Sequence, residues 1–198
     1  MGRKREFDED RMLAVIRDQF WSRGYEATST YDLMEATGLG KGSIYKAYGN
    51  KHELFLRTFS DYCDGIVIEA RAALSAEAGS SPVKRIEAYL LALADVFACQ
   101  SPRIGCYLTK ATVDLAAIDD AVAEIARRAY ENIAGAFEAA VREAQSAGEV
   151  DREADAGAQA FLMLAVIRGM DCLARTGVEG SVLRRTVRAT LVALRNPR

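Results

Sequence analysis

Residues 28–51, TSTYDLMEATGLGKGSIYKAYGNK, decide the fold of this 198-residue chain. Ser29 and Asp32 have the spacing of a capping box and predict the start of a short helix. Gly38 predicts the end of that helix, because glycine enters the left-handed conformation without a Cβ penalty. A second short helix is expected near residues 41–47, and Asn50 with Glu53 predicts the start of a third. Two short helices joined by a tight glycine turn are typical of a helix-turn-helix.

The second of these helices presents a basic face made of small residues. Its apolar Ile44 is expected to point inward, and the sequence from Glu35 to Glu53 contains three lysines and no carboxylate between those two residues. Small residues allow close approach to DNA, while lysines and hydroxyls bind phosphates. A solvated helical hairpin is the alternative, but the turn, the caps and the acid-free face together favour DNA binding. The predicted DNA contacts are Thr28, Ser29, Tyr31, Lys41, Gly42, Ser43, Tyr45, Lys46, Tyr48 and Lys51.

The segment from about Phe7 to Phe59 resembles the N-terminal domain of the tetracycline-repressor (TetR) family of bacterial regulators. The resemblance is carried by GYEATS at residues 24–29, GLGKGSIY at residues 38–45 and KHELF at residues 51–55. It departs from the family pattern at Gly40, where a serine-like cap is usual, and at residues 46–48, where histidines and phenylalanine are frequent. The resemblance implies a three-helix DNA-binding domain at residues 1–51. It also implies a helical effector-binding and dimerisation domain at residues 52–198.

Composition agrees with an all-α regulator. The chain has three prolines and no sustained alternation of apolar and polar residues, so about nine helices are expected, with breaks near Gly24, residues 79–82, Pro102 and Gly148. The net charge is −2, with 10 lysines and arginines against 9 carboxylates in residues 1–60 and 16 against 19 in the remainder. The attraction to DNA must therefore be local, since no global positive field exists.

Membrane attachment, metal binding and disulfide formation are not expected. No apolar run approaches the ~18 residues of a membrane span, and the N-terminal residues are charged rather than signal-like. The four cysteines lack close metal-ligand spacing and indicate a reducing, cytoplasmic setting. The pattern predicts no cofactor.

The last two helices, expected near residues 154–175 and 182–194, are too apolar for surface elements. Helices that are apolar on more than one side need neighbours there, either within the monomer or across a dimer. The family resemblance implies a homodimer formed through these two helices. Two symmetry-related heads would then read a palindromic double-stranded operator.

A regulator of this kind would sense a small effector in its C-terminal domain. Aromatic residues and methionines on helices four to eight are compatible with a pocket for an apolar or aromatic compound, although each is equally compatible with the core. The predicted pocket residues are Tyr62, Ile66, Tyr89, Phe97, Tyr107, Phe137, Phe161, Met163 and Met170.

Cys106 is a candidate redox sensor. It follows Arg103-Ile104-Gly105 and is expected in the first turn of the sixth helix, where the helix N-terminus and a guanidinium both stabilise a thiolate. The surrounding stretch resembles regulators similar to the N-ethylmaleimide-responsive repressor, which implies a cysteine that answers to electrophiles or oxidants. The alternative is a small buried hydrophobic residue, which free cysteine commonly is.

Two other classes of protein compete with this prediction. An enzyme is disfavoured because His52 is the only histidine and lies beside the DNA face, where it would meet phosphate or solvent. The sequence also lacks a Ser-His-Asp set, a phosphate-binding glycine loop and a Glu-x-x-His metal pair. The second alternative, an architectural DNA-binding protein without an effector, is not excluded by the sequence. The sequence therefore favours a transcriptional regulator, and the family resemblance implies a repressor.

Overall fold

The computed structural model describes residues 2–75 and 80–195, with side chains from Glu9 onward. Nine α-helices and no strand occur in these ranges, which confirms the predicted all-α fold. The helices are α1 Gly2–Arg23, α2 Thr30–Thr37, α3 Lys41–Tyr48, α4 Lys51–Leu74, α5 Pro82–Cys99, α6 Tyr107–Leu115, α7 Asp120–Ser146, α8 Ala156–Arg175 and α9 Gly180–Arg195. The break expected at residues 79–82 lies partly outside the described residues, because it includes Gly79.

Local capping signals fix both ends of α2. The Ser29 hydroxyl accepts a hydrogen bond from the Asp32 amide at 3.1 Å, and the Asp32 carboxylate accepts one from the Ser29 amide at 2.7 Å. At the other end Gly38 has φ +70°, and its amide donates to the Met34 carbonyl at 2.9 Å. These contacts confirm the predicted capping box and glycine stop.

α3 begins differently, since Gly40 occupies its N-cap position without a side-chain hydrogen bond. Ile44 is completely buried and fixes the inward face of α3. The start of α4 is then set by a second capping box, in which Asn50 and Glu53 exchange amide-to-side-chain hydrogen bonds of 3.0 and 3.2 Å. Both features agree with the sequence prediction.

The chain divides into two compact units. The head unit comprises residues up to Asp64 together with Tyr107–Ala126, and the body unit comprises Gly65–Cys106 with the residues from Arg127 on. Compactness is a different criterion from function, so the predicted functional boundary between residues 51 and 52 stays a prediction. α4 and α7 each contribute residues to both units.

An aromatic cluster forms the core of the head unit. Phe20, Phe55, Phe59 and Tyr107 are each at most 1% exposed, and the rings of Phe59 and Tyr107 lie 5.5 Å apart. Burial raises the pKa of Tyr107 well above its usual range. The half-buried Trp21 extends the cluster, because its ring lies 5.2 Å from that of Tyr62 and 6.1 Å from that of Tyr107. Removing one large aromatic from such a core costs about 3–5 kcal/mol.

α5, α8 and α9 pack together in the body unit. Ser81 caps α5 and Pro82 occupies its first turn, as the sequence predicts. The apolar stripe of α9 is buried inside this unit through Leu183, Val187, Leu191 and Leu194. The sequence predicted that these apolar residues pack either within the monomer or across a dimer, and the structure shows them packed within the monomer.

α8 retains an uncovered apolar surface. Phe161 is 55%, Leu162 43% and Leu173 45% exposed, whereas Ile167 and Met170 of the same helix are buried. By length and composition α8 is apolar enough to cross a membrane, so the expectation that no run approaches this limit was wrong. Core helices of soluble proteins meet the same criterion, and the buried residues, 39% of the apolar stretch, account for part of its apolar composition.

Candidate nucleic-acid interface

The outer face of α3 is open to solvent. Lys41, Gly42, Ser43 and Lys46 are exposed, while the buried Ile44 holds the opposite face against the head unit. A Cβ added at Gly42 would meet nothing within 4 Å, so no other part of the described chain obstructs the backbone there. The first turn of α3 can therefore enter a DNA groove and approach its bases and backbone closely.

A hydrogen bond connects a hydroxyl of α2 to a hydroxyl of α3. Thr30 Oγ1 and the Tyr45 hydroxyl share a hydrogen bond of 2.5 Å, which fixes the half-buried Tyr45 between the two helices. Tyr31 is 70% exposed on the outer side of α2. Ser29 is exposed as well, although its hydroxyl also bonds to Asp32 Oδ2 at 2.6 Å. These positions keep Tyr31 and Ser29 accessible from solvent.

Thr28 is placed differently from the other predicted DNA contacts. Its side chain is fully buried, and its hydroxyl donates to the Gly24 carbonyl at 2.7 Å. In this conformation Thr28 offers no side-chain surface to DNA. Its hydroxyl instead stabilises the turn between α1 and α2.

Two lysines of the interface lie close to tyrosine rings. Lys51 Nζ is 4.3 Å from the centroid of the Tyr25 ring, within the range of a cation–π contact, and Lys41 Nζ is 5.9 Å from that of Tyr45. At the end of α3, burial and then the nearby Glu9 raise the pKa of Tyr48, so its hydroxyl is neutral at pH 7 and can donate to a phosphate. Tyr25 was not predicted as part of this face, although it directly follows Gly24.

Asp32 links α2 to the end of α1. Its carboxylate lies 2.5 Å from Arg23 Nη1. Hydrogen bonds from the Ser29 hydroxyl and amide, followed by the Arg23 guanidinium, hold the pKa of Asp32 below its usual value. The carboxylate is therefore ionised at neutral pH, and its charge is satisfied within the head unit.

His52 is paired with a carboxylate. Its Nε2 lies 2.7 Å from Asp119 Oδ2, in the connection between α6 and α7. The expectation that His52 meets phosphate or solvent was therefore incomplete, because its Nε2 is already engaged. Asp119 is 67 positions away in the sequence, and no local pattern indicates the pair.

The predicted effector-pocket residues are divided between the units. Tyr62 and Tyr107 belong to the aromatic cluster of the head unit, and the other seven lie in the body unit. Within the body unit the rings of Tyr89 and Phe137 are 5.8 Å apart, and burial raises the pKa of Tyr89 to about 12. Phe161 lies on the exposed side of α8.

The cavities that the structure describes are lined mostly by other residues. A head-unit cavity of about 390 Å³ includes Tyr62 and Arg57 in its lining. A body-unit groove of about 400 Å³ runs past Arg71, Asn132 and Ala136. The predicted pocket residues are thus not gathered around one described cavity, and their role in effector binding stays a prediction.

Cys106 lies directly before α6 and is buried. Its amide donates to Asp171 Oδ1 at 2.9 Å, and its sulfur accepts a hydrogen bond from Arg168 Nη1 at 3.3 Å. The guanidinium at the thiol therefore belongs to Arg168, rather than to Arg103 as the sequence suggested. Arg168 also lies 5.8 Å from the ring of Tyr130.

Comparisons with known proteins match both parts of the chain. Residues 12–58 match the family model described as bacterial regulatory proteins, tetR family, and residues 82–190 match that of the tetracyclin repressor-like C-terminal domain. The HTH-type transcriptional repressor ComR of Escherichia coli (strain K12) is 28% identical over 190 residues, covering 96% of this chain and 90% of that protein.

Solved structures give the same result for the fold. A TetR transcriptional regulator from Chloroflexus aurantiacus J-10-FL superposes with a TM-score of 0.82 and 25% identity, covering 96% of each chain. A cysteine mutant of the TetR family transcriptional regulator CifR, complexed with 26-bp double-strand operator DNA, has a TM-score of 0.78 and 25% identity. That comparison covers 93% of this chain and 95% of CifR.

Proposed function

This chain belongs to the TetR family of bacterial transcriptional regulators, and on that premise we propose that it is a dimeric, cytoplasmic repressor of a palindromic operator. The observation that carries the proposal is the face of α3, where lysines and a serine are exposed and no other described part of the chain obstructs the backbone at Gly42. The operator complex of the related CifR supports DNA as the ligand.

The residues of the face have different proposed roles. Lys46 and Lys51 bind phosphates, and the hydroxyls of Tyr45 and Tyr48 reach the DNA backbone. Gly42 and Ser43 come closest to base edges, because they are the small exposed residues of the first turn of α3. Ser29, Tyr31 and Lys41 add contacts from the exposed sides of α2 and α3.

The proposed dimer forms through α8 and α9. Phe161, Leu162 and Leu173 on α8 and Val192 on α9 leave large apolar side chains in solvent, and a second copy of the same helices would cover them. A twofold dimer carries two identical heads, and this symmetry accounts for the palindromic operator in the proposal.

An effector bound to the body unit would release the repressor from DNA. An effector shifts this equilibrium only by its different affinity for the free and the DNA-bound forms, so operator DNA must weaken effector binding by the same factor. A protein whose operator affinity is unchanged by every effector would instead be architectural.

A cysteine-based sensor is the second candidate, favoured by the contact between Arg168 and the Cys106 sulfur. A guanidinium stabilises the reactive thiolate, whereas burial of the thiol restricts access. Cys99 and Cys172 are exposed and provide the comparison. Brief sub-stoichiometric alkylation followed by mass spectrometry should modify Cys106 first if it is the sensor, and Cys106→Ser should abolish release by electrophiles. Faster labelling of the exposed thiols would leave Cys106 as a packing residue.

The DNA-binding proposal is tested by selecting bound duplexes from a random pool with the full-length protein. Lys51→Ala should weaken binding to selected and unselected duplexes by the same factor and reduce the salt slope by about one unit. Ser43→Ala should instead change the sequence that the protein selects from the pool. Lys84→Ala is the matched control, because Lys84 is an exposed lysine of the body unit. Failure to enrich any duplex, or an unchanged salt slope for Lys51→Ala, would contradict the assignment.

A further inference from the structure

Asp119 uses both oxygens of its carboxylate to join two helix starts in the head unit. Oδ1 accepts hydrogen bonds from the amides of Ala121 and Val122 at 3.1 and 3.2 Å, and so caps the N-terminus of α7. Oδ2 lies 2.7 Å from Nε2 of His52, the second residue of α4. One side chain therefore connects the first turn of α7 to the first turn of α4.

The first turn of α4 also carries the proposed phosphate contact Lys51. The Tyr25 ring lies 4.3 Å from Lys51 Nζ, and it meets the His52 ring edge-on with centroids 6.0 Å apart. Asp119, His52, Tyr25 and Lys51 thus form a continuous row of contacts that ends at the DNA face. A lysine on a flexible stem loses less entropy on binding when its neighbours already restrict its direction.

The electrostatics of Asp119 keep the row intact at neutral pH. Burial raises the pKa of Asp119, but the hydrogen bonds from His52 and from the amides of Val122 and Ala121 outweigh it, so the pKa lies below its usual value. An ionised carboxylate makes a charge-assisted hydrogen bond to an imidazole N–H, which is stronger than a neutral one.

We propose that Asp119 is a positioning residue for operator binding, which holds His52 so that the first turn of α4 presents Lys51 to a DNA phosphate. This inference rests on the proposed function of the DNA face. It assigns a role in DNA recognition to a residue outside the helix-turn-helix, in the connection between α6 and α7.

The opposite effect is expected if Asp119 acts only through its charge. A carboxylate near DNA repels phosphates, so its removal would strengthen binding. The positioning role requires the reverse, namely that Asp119→Asn weakens binding although it removes a negative charge. Asparagine is as good an N-cap as aspartate, so this variant preserves the start of α7. The neighbouring Asp120→Asn is the matched control, because it removes the same charge from an exposed residue.

The experiment measures affinity for a duplex selected by the wild-type protein from a random pool. Asp119→Asn should bind about three- to tenfold more weakly, the size of coupling between neighbouring groups. Its unfolding temperature should fall slightly, because the lowered pKa of Asp119 stabilises the folded protein, but the variant should remain folded at the temperature of the binding assay. Asp120→Asn should bind as tightly as wild type or more tightly. In the His52→Ala background, Asp119→Asn should not weaken binding further. His52→Gln should bind more tightly than His52→Ala, because its amide N–H can still donate to Asp119.

The outcomes separate this inference from the proposed function. Equal or tighter binding by Asp119→Asn, or additive effects of Asp119→Asn and His52→Ala, would overturn the positioning role while leaving DNA binding intact. A wild-type protein that selects no duplex would instead contradict the proposed function itself.

Discussion

The helix caps of the head unit and the contacts that join helices of the body unit differ in the sequence distance over which they form. In the head, Ser29 with Asp32 and Asn50 with Glu53 set helix starts from three residues away. In the body, the Ser81 hydroxyl donates to Glu149, 68 positions away, and the Cys106 amide donates to Asp171, 65 positions away. Distant contacts also occur in the head, where His52 pairs with Asp119 and Lys110 donates to the Ser22 carbonyl, 88 positions away. Loss of a local cap affects one helix start, whereas loss of a distant contact removes a link between two helices, so the two kinds of contact should respond differently to substitution.

The largest effect is expected from Asp171→Ala in the body unit. Asp171 is 1% exposed, accepts the Cys106 amide and lies 3.8 Å from Arg175 Nη2. Its removal leaves a buried donor and a partly buried guanidinium without their partner, which should reduce the free energy of unfolding by about 3–5 kcal/mol. Urea unfolding measures the change. Asp95→Ala is the control, since its pair with Arg184 is exposed and should contribute at most about 1 kcal/mol. Both contacts join residues that are distant in sequence, so equal losses in the two variants would show that the burial of Asp171 does not set the size of the effect.

The next effect concerns the exposed apolar side of α8. Phe161→Asp should convert the proposed dimer to a folded monomer, because it places a charge on the exposed apolar surface of α8, and the interface should lose about 2 kcal/mol or more. Sedimentation velocity at several concentrations measures the assembly. Val113→Asp is the matched control, because Val113 is a 77% exposed apolar residue of the head unit. Dissociation by both variants, or by neither, would argue against α8 as the interface.

A smaller effect distinguishes two glycines of the head. Gly38 has φ +70° with nothing within 4 Å of an added Cβ, so Gly38→Ala should cost about 1–2 kcal/mol from backbone conformation alone. Gly40 has φ −71° and lies at the N-cap of α3, so Gly40→Ser should instead stabilise the protein by a few tenths of a kcal/mol. Thermal unfolding of the two variants tests both signs. A stabilised Gly38→Ala would show that the turn does not require the left-handed conformation.

The smallest effect is the pH dependence of the cap at Asp32. Because the pKa of Asp32 is lowered in the folded protein, its contribution to stability is present above the usual aspartate pKa of about 3.9 and is lost as the pH falls below it. Asp32→Asn should therefore unfold at a lower temperature than wild type at pH 7, and the difference should shrink towards pH 3.5. A difference that grows on acidification would contradict the assignment of the lowered pKa to this cap.

Prediction from sequence succeeded where the determining residues are neighbours. The caps at Ser29 and Asn50 and the stop at Gly38 depend on residues a few positions away, so their spacing was sufficient. The direction of Thr28 was not predictable in the same way. Its hydroxyl donates a hydrogen bond to the Gly24 carbonyl. A threonine beside a DNA-binding helix has the same sequence pattern whether its side chain faces inward or outward.

Prediction failed where the partner comes from a distant helix. Arg168 rather than Arg103 lies at the Cys106 thiol, because packing of α8 brings in a residue that is 62 positions away. For the same reason Asp119 could not be assigned to His52. The covering of the α9 stripe within the protomer likewise depends on which helix packs against it, and periodicity shows only that a covering is needed.

Trp21 gives the protein an internal optical probe. It is the single tryptophan in the chain and lies in the aromatic cluster of the head, beside Tyr62 and Tyr107. Tryptophan emission from the unlabelled protein therefore originates entirely in the unit that bears the DNA face. A compound that binds in the body unit and changes this emission would report the response of the head directly, so effectors could be screened by fluorescence before any operator is known.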